Sequence, residues 1–173
     1  VFGSINIDNG YDAFSLDNDR NTRSDEPGTD MQDSQYLGLN LDLNLNKKIA
    51  LDASVAYVRS DIDYGYDEDW TFTGFDVAGY SSTDLYSRDV DTVTLDLRLL
   101  SRVGEGLAAG KVDWVVGFYA LDRQVDLTRQ YTYLANNFTS DFDVDRVALY
   151  GEVSRELAEG LRLSVGLRAE EHS

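Results

Sequence analysis

The chain has 173 residues, of which 42% are hydrophobic, with no cysteine and a formal charge of −17. That charge argues against nucleic acid and against docking on an anionic membrane surface, which both recruit Lys and Arg. The missing thiols exclude disulfide scaffolds, thiol catalysis and zinc–thiolate sites.

A spanning helix is excluded as well, because no run of about 18 apolar residues occurs. A membrane barrel is not excluded: its strands are apolar only at every second residue and average out as hydrophilic. The negative mean hydropathy therefore decides nothing between a soluble sheet and a barrel.

Alternation of apolar and polar residues predicts seven strands. The first, Val1 to Ile7, sets Val1, Gly3, Ile5 and Ile7 on one face. A polar loop follows, with eight acids against two bases, Arg20 and Arg23, between Asp8 and Asp33. Such a loop is either a solvated surface or a device that attracts divalent cations and repels anions at a pore mouth. Within it Asp17-Asn-Asp19-Arg-Asn21 opens like an EF-hand loop. Thr22 then stands at the sixth position, where glycine is needed, and Gly28 at the twelfth, where glutamate is needed. No metal site is assigned.

The second strand is the clearest. Leu37, Leu39, Leu41, Leu43 and Leu45 alternate with Gly38, Asn40, Asp42 and Asn44. A tight turn at Asn46-Lys47-Lys48 leads to the third, where Leu51, Ala53, Val55 and Tyr57 oppose Asp52, Ser54, Ala56 and Val58. Residues from about Asp61 to Arg88 read as a long aromatic and acidic loop. The fourth strand carries Val93, Leu95, Leu97 and Leu99, and a short glycine-rich connection runs from Arg102 to Gly110. The fifth, Lys111 to about Arg123, shares Val112, Trp114, Val116, Phe118 and Ala120 on one face.

Gln124 to Phe142 reads as another long loop. Two last strands meet at Ala158-Glu159-Gly160; in the second, Leu161, Leu163, Val165 and Leu167 oppose Arg162, Ser164, Gly166 and Arg168.

Turns after the second, fourth and sixth strands are short, whereas the other connections run to roughly 18–28 residues, longer than ordinary hairpin loops. Short turns therefore share one edge of the sheet, the layout of an outer-membrane barrel with short periplasmic turns and long external loops. The span Leu37–Leu45 has the length of a tilted strand crossing a bilayer, about 9–11 residues. The expected fold is all-β: an antiparallel up-and-down meander of about seven strands, part of a transmembrane β-barrel. The chain opens at Val1-Phe2-Gly3-Ser4 without a signal segment and ends within a strand pattern, so a fragment is expected.

Two segments carry a family resemblance. Val147-Ala-Leu-Tyr-Gly-Glu-Val153, a turn, and Leu161-Arg-Leu-Ser-Val-Gly-Leu-Arg168 resemble a paired-strand signature of TonB-dependent outer-membrane receptors, through Tyr150, Gly151, Glu152, Gly166, Leu167 and Arg168. Asp113-Trp-Val-Val-Gly-Phe-Tyr119 is similar to another strand of those barrels, as is the Asp-rich loop around Phe14-Ser-Leu-Asp-Asn-Asp19. Ala169 departs from the aromatic residue that often follows Gly-Leu-Arg. The resemblance implies that residues 1–173 form part of a barrel wall of about 22 strands, with the plug, the TonB-binding segment and the remaining strands outside them. It further implies a bacterial outer-membrane transporter for a scarce bulky solute, such as an iron chelate, cobalamin or oligosaccharide. TonB would relay the energy, through parts of the protein outside these residues.

The candidate substrate contacts are Tyr64, Tyr66, Trp70, Phe72, Tyr131 and Tyr133, rings that stack on sugars or aromatic chelators when not simply packing a loop. Glu152, Arg162 and Arg168 fall on the polar, lumenal face, with Arg162 and Arg168 expected to pair with acids such as Glu152 or Glu170. Trp114 and Tyr57 lie on the apolar face near strand ends, where amphipathic rings favour the lipid–water boundary; Trp114 belongs to the short-turn side. The single histidine, His172, supports neither a triad nor a histidine metal cluster. No enzyme activity and no cofactor are expected. Expected partners are outer-membrane lipid, the TonB complex and a small-molecule or oligosaccharide ligand. Two rivals stay open: a small outer-membrane channel or adhesion barrel, and a soluble β-sandwich that binds carbohydrate.

Overall fold

Alternation and turn chemistry resolve into one antiparallel sheet. The computed structural model describes residues 1–10, 21–26, 28–75, 77, 79–102 and 104–173. The strands are β1 (Phe2–Asp8), β2 (Thr29–Asn44), β3 (Ile49–Asp67), β4 (Thr83–Ser101), β5 (Val112–Tyr131), β6 (Phe138–Ala158) and β7 (Leu161–His172), with a single helical turn, α1 (Leu107–Gly110), before β5. They pair in sequence order, β1 to β7, and β1 and β7 are not paired with each other. The turn after β2 closes because the Asn46 side-chain oxygen accepts the N–H groups of Lys48 and Ile49, at 2.7 and 3.0 Å. At the β6–β7 turn Gly160 takes φ +76, a left-handed conformation that suits glycine. The EF-hand-like run and the Asp-rich segment around Phe14 fall largely outside the described residues.

Register sorts the side chains into two faces, because side chains alternate along each strand. One row runs Leu43–Leu51–Leu99–Val116–Gly151–Leu167 across six strands, and the next Leu41–Ala53–Leu97–Phe118–Leu149–Ala169. Nothing covers this leucine face. Leu39 is 59% exposed, Val165 57% and Leu167 84%, and Ala148 is the sole buried apolar residue among those described. Fully burying one such side chain is worth about 1.5–3 kcal/mol, so a sheet in water would cover the face with a second layer. None is present among the described residues.

Further along the same strands this face changes character. A rung of five carboxylates, Asp33–Asp61–Asp89–Asp126–Asp141, crosses β2 to β6 in direct register, with the Asn6 amide beside Asp33 on β1. Between it and the apolar rows, the Tyr57 hydroxyl donates to the Asp91 carboxylate.

Two expectations change. The stretches read as loops from Asp61 to Arg88 and from Gln124 to Phe142 are mostly strand: β3 continues to Asp67, β4 begins at Thr83, β5 reaches Tyr131 and β6 begins at Phe138. Backbone pairing continues there although hydrophobic alternation has stopped. In β1, register places Phe2 beside Leu37 and Gly3 beside Tyr36, so Val1, Gly3, Ile5 and Ile7 lie on the face opposite the leucines.

Candidate functional site: an aromatic cluster around a buried carboxylate

The long hairpins gather rings on the polar face. Cross-strand register sets Tyr64 beside Tyr86, Tyr66 beside Asp84, Tyr86 beside Arg129, and Asp84 beside Tyr131. At the centre is Asp84, only 1% exposed. Arg129 donates to it through a two-pronged contact, Nε to Oδ1 at 2.8 Å and Nη2 to Oδ2 at 2.6 Å. The hydroxyls of Tyr86 and Tyr66 donate to Oδ2 at 3.0 and 3.3 Å. A buried carboxylate is tolerated only when its charge and lone pairs are answered in this way. The Arg129 hydrogen bonds hold Asp84 below the usual carboxylate range, while burial pushes the Tyr66, Tyr86 and Tyr131 hydroxyls up.

The rings form a continuous surface. Tyr64 and Tyr66 have centroids 5.8 Å apart, Tyr64 and Tyr86 6.4 Å, and Tyr66 and Trp70 stack at 5.6 Å with planes 20° apart. The Arg129 guanidinium lies 5.3 Å from the Tyr86 and Tyr131 ring centroids, and Tyr131 meets Tyr133 edge-on at 5.6 Å. Arg129 thereby joins the β3–β4 rings to those of the β5–β6 hairpin. Trp70 adopts φ +56, a strained conformation for a non-glycine residue. Its stacking on Tyr66 and a 3.2 Å bond from its N–H to Asp67 Oδ1 hold it there.

Asp67 is 1% exposed and accepts the Ser24 hydroxyl. Burial, and then the adjacent Asp69 carboxyl, push it up. Asp69 Oδ1 nearby is buried without a hydrogen-bond partner among the described residues.

Of the six rings singled out from sequence, Tyr64, Tyr66, Trp70, Tyr131 and Tyr133 come together. Phe72 does not join them in any ring contact found; it packs edge-on to Phe75 at 5.7 Å, with the Arg23 guanidinium over Phe75. Asp84, Tyr86 and Arg129 were missed. The signal for them is parity, since all three fall on the polar face once the strands are extended.

The other polar-face residues sit lower on the wall. Arg162 donates to Asp113 at 2.7 Å and to the Ser154 hydroxyl at 2.6 Å, and Glu152 lies beside Gly166 in register. Arg168 donates to Glu170 at 2.7 Å and lies over the rings of Tyr119 and Tyr150. Tyr150 donates to Asp96 at 2.7 Å and receives a bond from Arg98 at 3.0 Å. Its ring covers Gly117 so closely that a Cβ there would lie 2.1 Å from Tyr150 Cζ.

A single up-and-down sheet with one bare apolar face and one face of ion pairs and rings is the wall of a β-barrel. Residues 2–173 match the family model described as TonB dependent receptor-like, beta-barrel, and the chain belongs to that family. Among solved structures it resembles the ferric yersiniabactin uptake receptor FyuA from Yersinia pestis, with a TM-score of 0.60 and 10% identity. That match covers 86% of this chain and 25% of the receptor, so the chain spans about a quarter of its relative's length. No curated protein matches. The family is a receptor and transport class rather than a catalytic one, with a β-barrel transporter fold, and the assignment points to an outer-membrane receptor. Among the described residues no helix is long and apolar enough to cross a membrane, a fact with no bearing on strands.

Proposed function

We propose that residues 1–173 are part of the barrel wall of an active transporter in the bacterial outer membrane. It binds and imports a scarce bulky solute, of the class of iron chelates, cobalamin or oligosaccharides. Energy comes through TonB, and the plug, the TonB-binding segment and the remaining strands lie outside these residues. In this reading the leucine face meets hydrocarbon, and Glu152, Arg162 and Arg168 line the lumen.

The observation that carries the reading is the ring cluster at the long-hairpin end of the polar face, anchored by Asp84 and Arg129. Rigid tyrosine and tryptophan faces provide contact area at small entropic cost. Arg129 is partly exposed and faces rings, so it can meet an acidic or aromatic group on a ligand. Tyr64, Tyr66, Trp70, Tyr131 and Tyr133 are the proposed ligand contacts; Phe72 would contribute only at the margin.

The test is binding and uptake measured across ferric chelates, cobalamin and oligosaccharides, for the parent and for Tyr66→Ala and Tyr131→Ala. The expected result is one ligand class taken up, and a loss of about ten-fold or more in affinity for each variant with the barrel still inserted. Unchanged affinity in both variants would reduce the cluster to hairpin packing.

A further inference from the structure

The leucine face carries one local gap. Gly151 stands in its row between Val116 and Leu167 and contributes no side chain. The result is an open groove of about 480 Å3, floored by Gly151 and walled by Trp114, Val116, Val153, Val165 and Leu167. A Cβ there would lie 3.3 Å from the Val115 carbonyl oxygen, a tight contact that asks the backbone to give by a few tenths of an ångström, and 3.8 Å from Val116 Cγ2, far less crowded than the ring that fills the space over Gly117.

Of the residues bordering the groove Glu152 alone is charged, and register puts its side chain on the opposite face; on the groove's own face the charge toward the short turns is Arg155. Arg155 pairs in register with Val112 and Leu163, on the same face and toward the short turns. It is exposed, and the ion pairs of the described residues are all made by other side chains. Arg59, toward the opposite end of this face, is already paired with Asp61. From Gly151 to Arg155 is four strand residues, about 13 Å. A guanidinium at the edge of an apolar band takes phosphate in a fork, and the Trp114 ring beside the groove suits the same boundary. An anion with an apolar tail fits here, whereas the carboxylates at the far end of the face would repel it.

We infer that Arg155 and the Gly151 groove bind a glycerophospholipid of the periplasmic leaflet, its phosphate on the guanidinium and one acyl chain along the groove. The inference rests on the reading of the leucine face as lipid-facing.

Residues 1–173 hold two tryptophans, Trp70 and Trp114, and the Trp114 signal is taken as the emission lost in Trp114→Phe of the same protein. The protein is reconstituted in uncharged galactolipid vesicles doped with phosphatidylglycerol or diacylglycerol, each brominated on its acyl chains. Brominated phosphatidylglycerol is expected to quench Trp114 at about ten-fold lower mole fraction than brominated diacylglycerol, the effect of one charge-assisted contact. Arg155→Gln removes that preference, and Gly151→Leu weakens quenching by the phospholipid. Should Gly151→Leu not insert, Arg155→Gln carries the test alone. Equal quenching by the two lipids, unaltered by Arg155→Gln, overturns the site and leaves the lipid-facing reading standing. No quenching by either lipid overturns both.

Discussion

The two ends of the leucine face share strands and register, and differ only in side chains. Toward the short turns, rows such as Leu41–Ala53–Leu97–Phe118–Leu149 are apolar without interruption. Toward the long hairpins the rung Asp33–Asp61–Asp89–Asp126–Asp141 is carboxylate on each strand from β2 to β6. Neither set tolerates the other's surroundings: buried charge costs several kcal/mol in an apolar medium, and uncovered leucines forfeit their transfer energy in water. On the proposed reading one unbroken sheet passes through two solvents, with the boundary just beyond the Tyr57–Val93 pair.

The largest effect should come from placing a charge in the apolar part. Leu97→Arg is expected to cost about 2–4 kcal/mol of unfolding free energy in vesicles, measured by denaturant titration, whereas Asp89→Arg costs nothing or gains. Equal costs at the two positions would break the comparison.

Next come the faces themselves. Gly117→Val must displace the Tyr150 ring and its bonds to Asp96 and Arg98, at about 1–3 kcal/mol. Gly151→Ala, with its more open surroundings, costs clearly less.

Arg129→Ala leaves the Asp84 carboxylate buried without its cation and is expected to lower the unfolding midpoint. The Asp84 contribution has a definite sign. Its pKa is lowered, so the stabilisation is present above the ordinary carboxylate range and is lost as pH falls through the lowered value. Thermal unfolding followed between neutral and acid pH should show that decline in the parent, and the variant should lack it.

The smallest effect is in the carboxylate rung. Asp89→Asn removes one like charge and should stabilise by roughly 0.5 kcal/mol, less at high salt. Asp89 is raised, first by its contact with Asp61, so its contribution is full below the usual Asp range and is lost as pH rises through the raised value. The gain from Asn is therefore largest at neutral pH and fades in acid.

The apolar band was legible because β2, β4 and β7 alternate apolar and polar residues almost without a break, as in Leu37 to Leu45 and Leu161 to Leu167. The strand extensions were not, since Ile62 and Leu85 are the only aliphatic residues of Asp61–Asp67 and Thr83–Arg88, and hydrophobic alternation vanishes while backbone pairing continues. The face of β1 was hidden for a related reason: Val1, Ile5 and Ile7 look apolar, yet only the pairing of Gly3 with Tyr36 fixes which side they occupy. The rings Tyr64, Tyr66, Trp70, Tyr131 and Tyr133 stood out by composition. Asp84 and Arg129, 45 residues apart in sequence, become partners only through the β4–β5 register.

The most direct test of a lipid-facing leucine row is a spin-label scan of β2, to which residues 1–173 bring no cysteine of their own. Single cysteines from Met31 to Leu45 are labelled in the vesicle-inserted protein, and collisions with oxygen and with a water-soluble nickel chelate are compared. The account predicts oxygen-favoured collisions at Leu37, Leu39, Leu41 and Leu43, polar-favoured ones at Gly38, Asn40 and Asp42, and a switch to water at Asp33. Nickel reaching Leu39 and Leu41 as freely as Asp33 would contradict it.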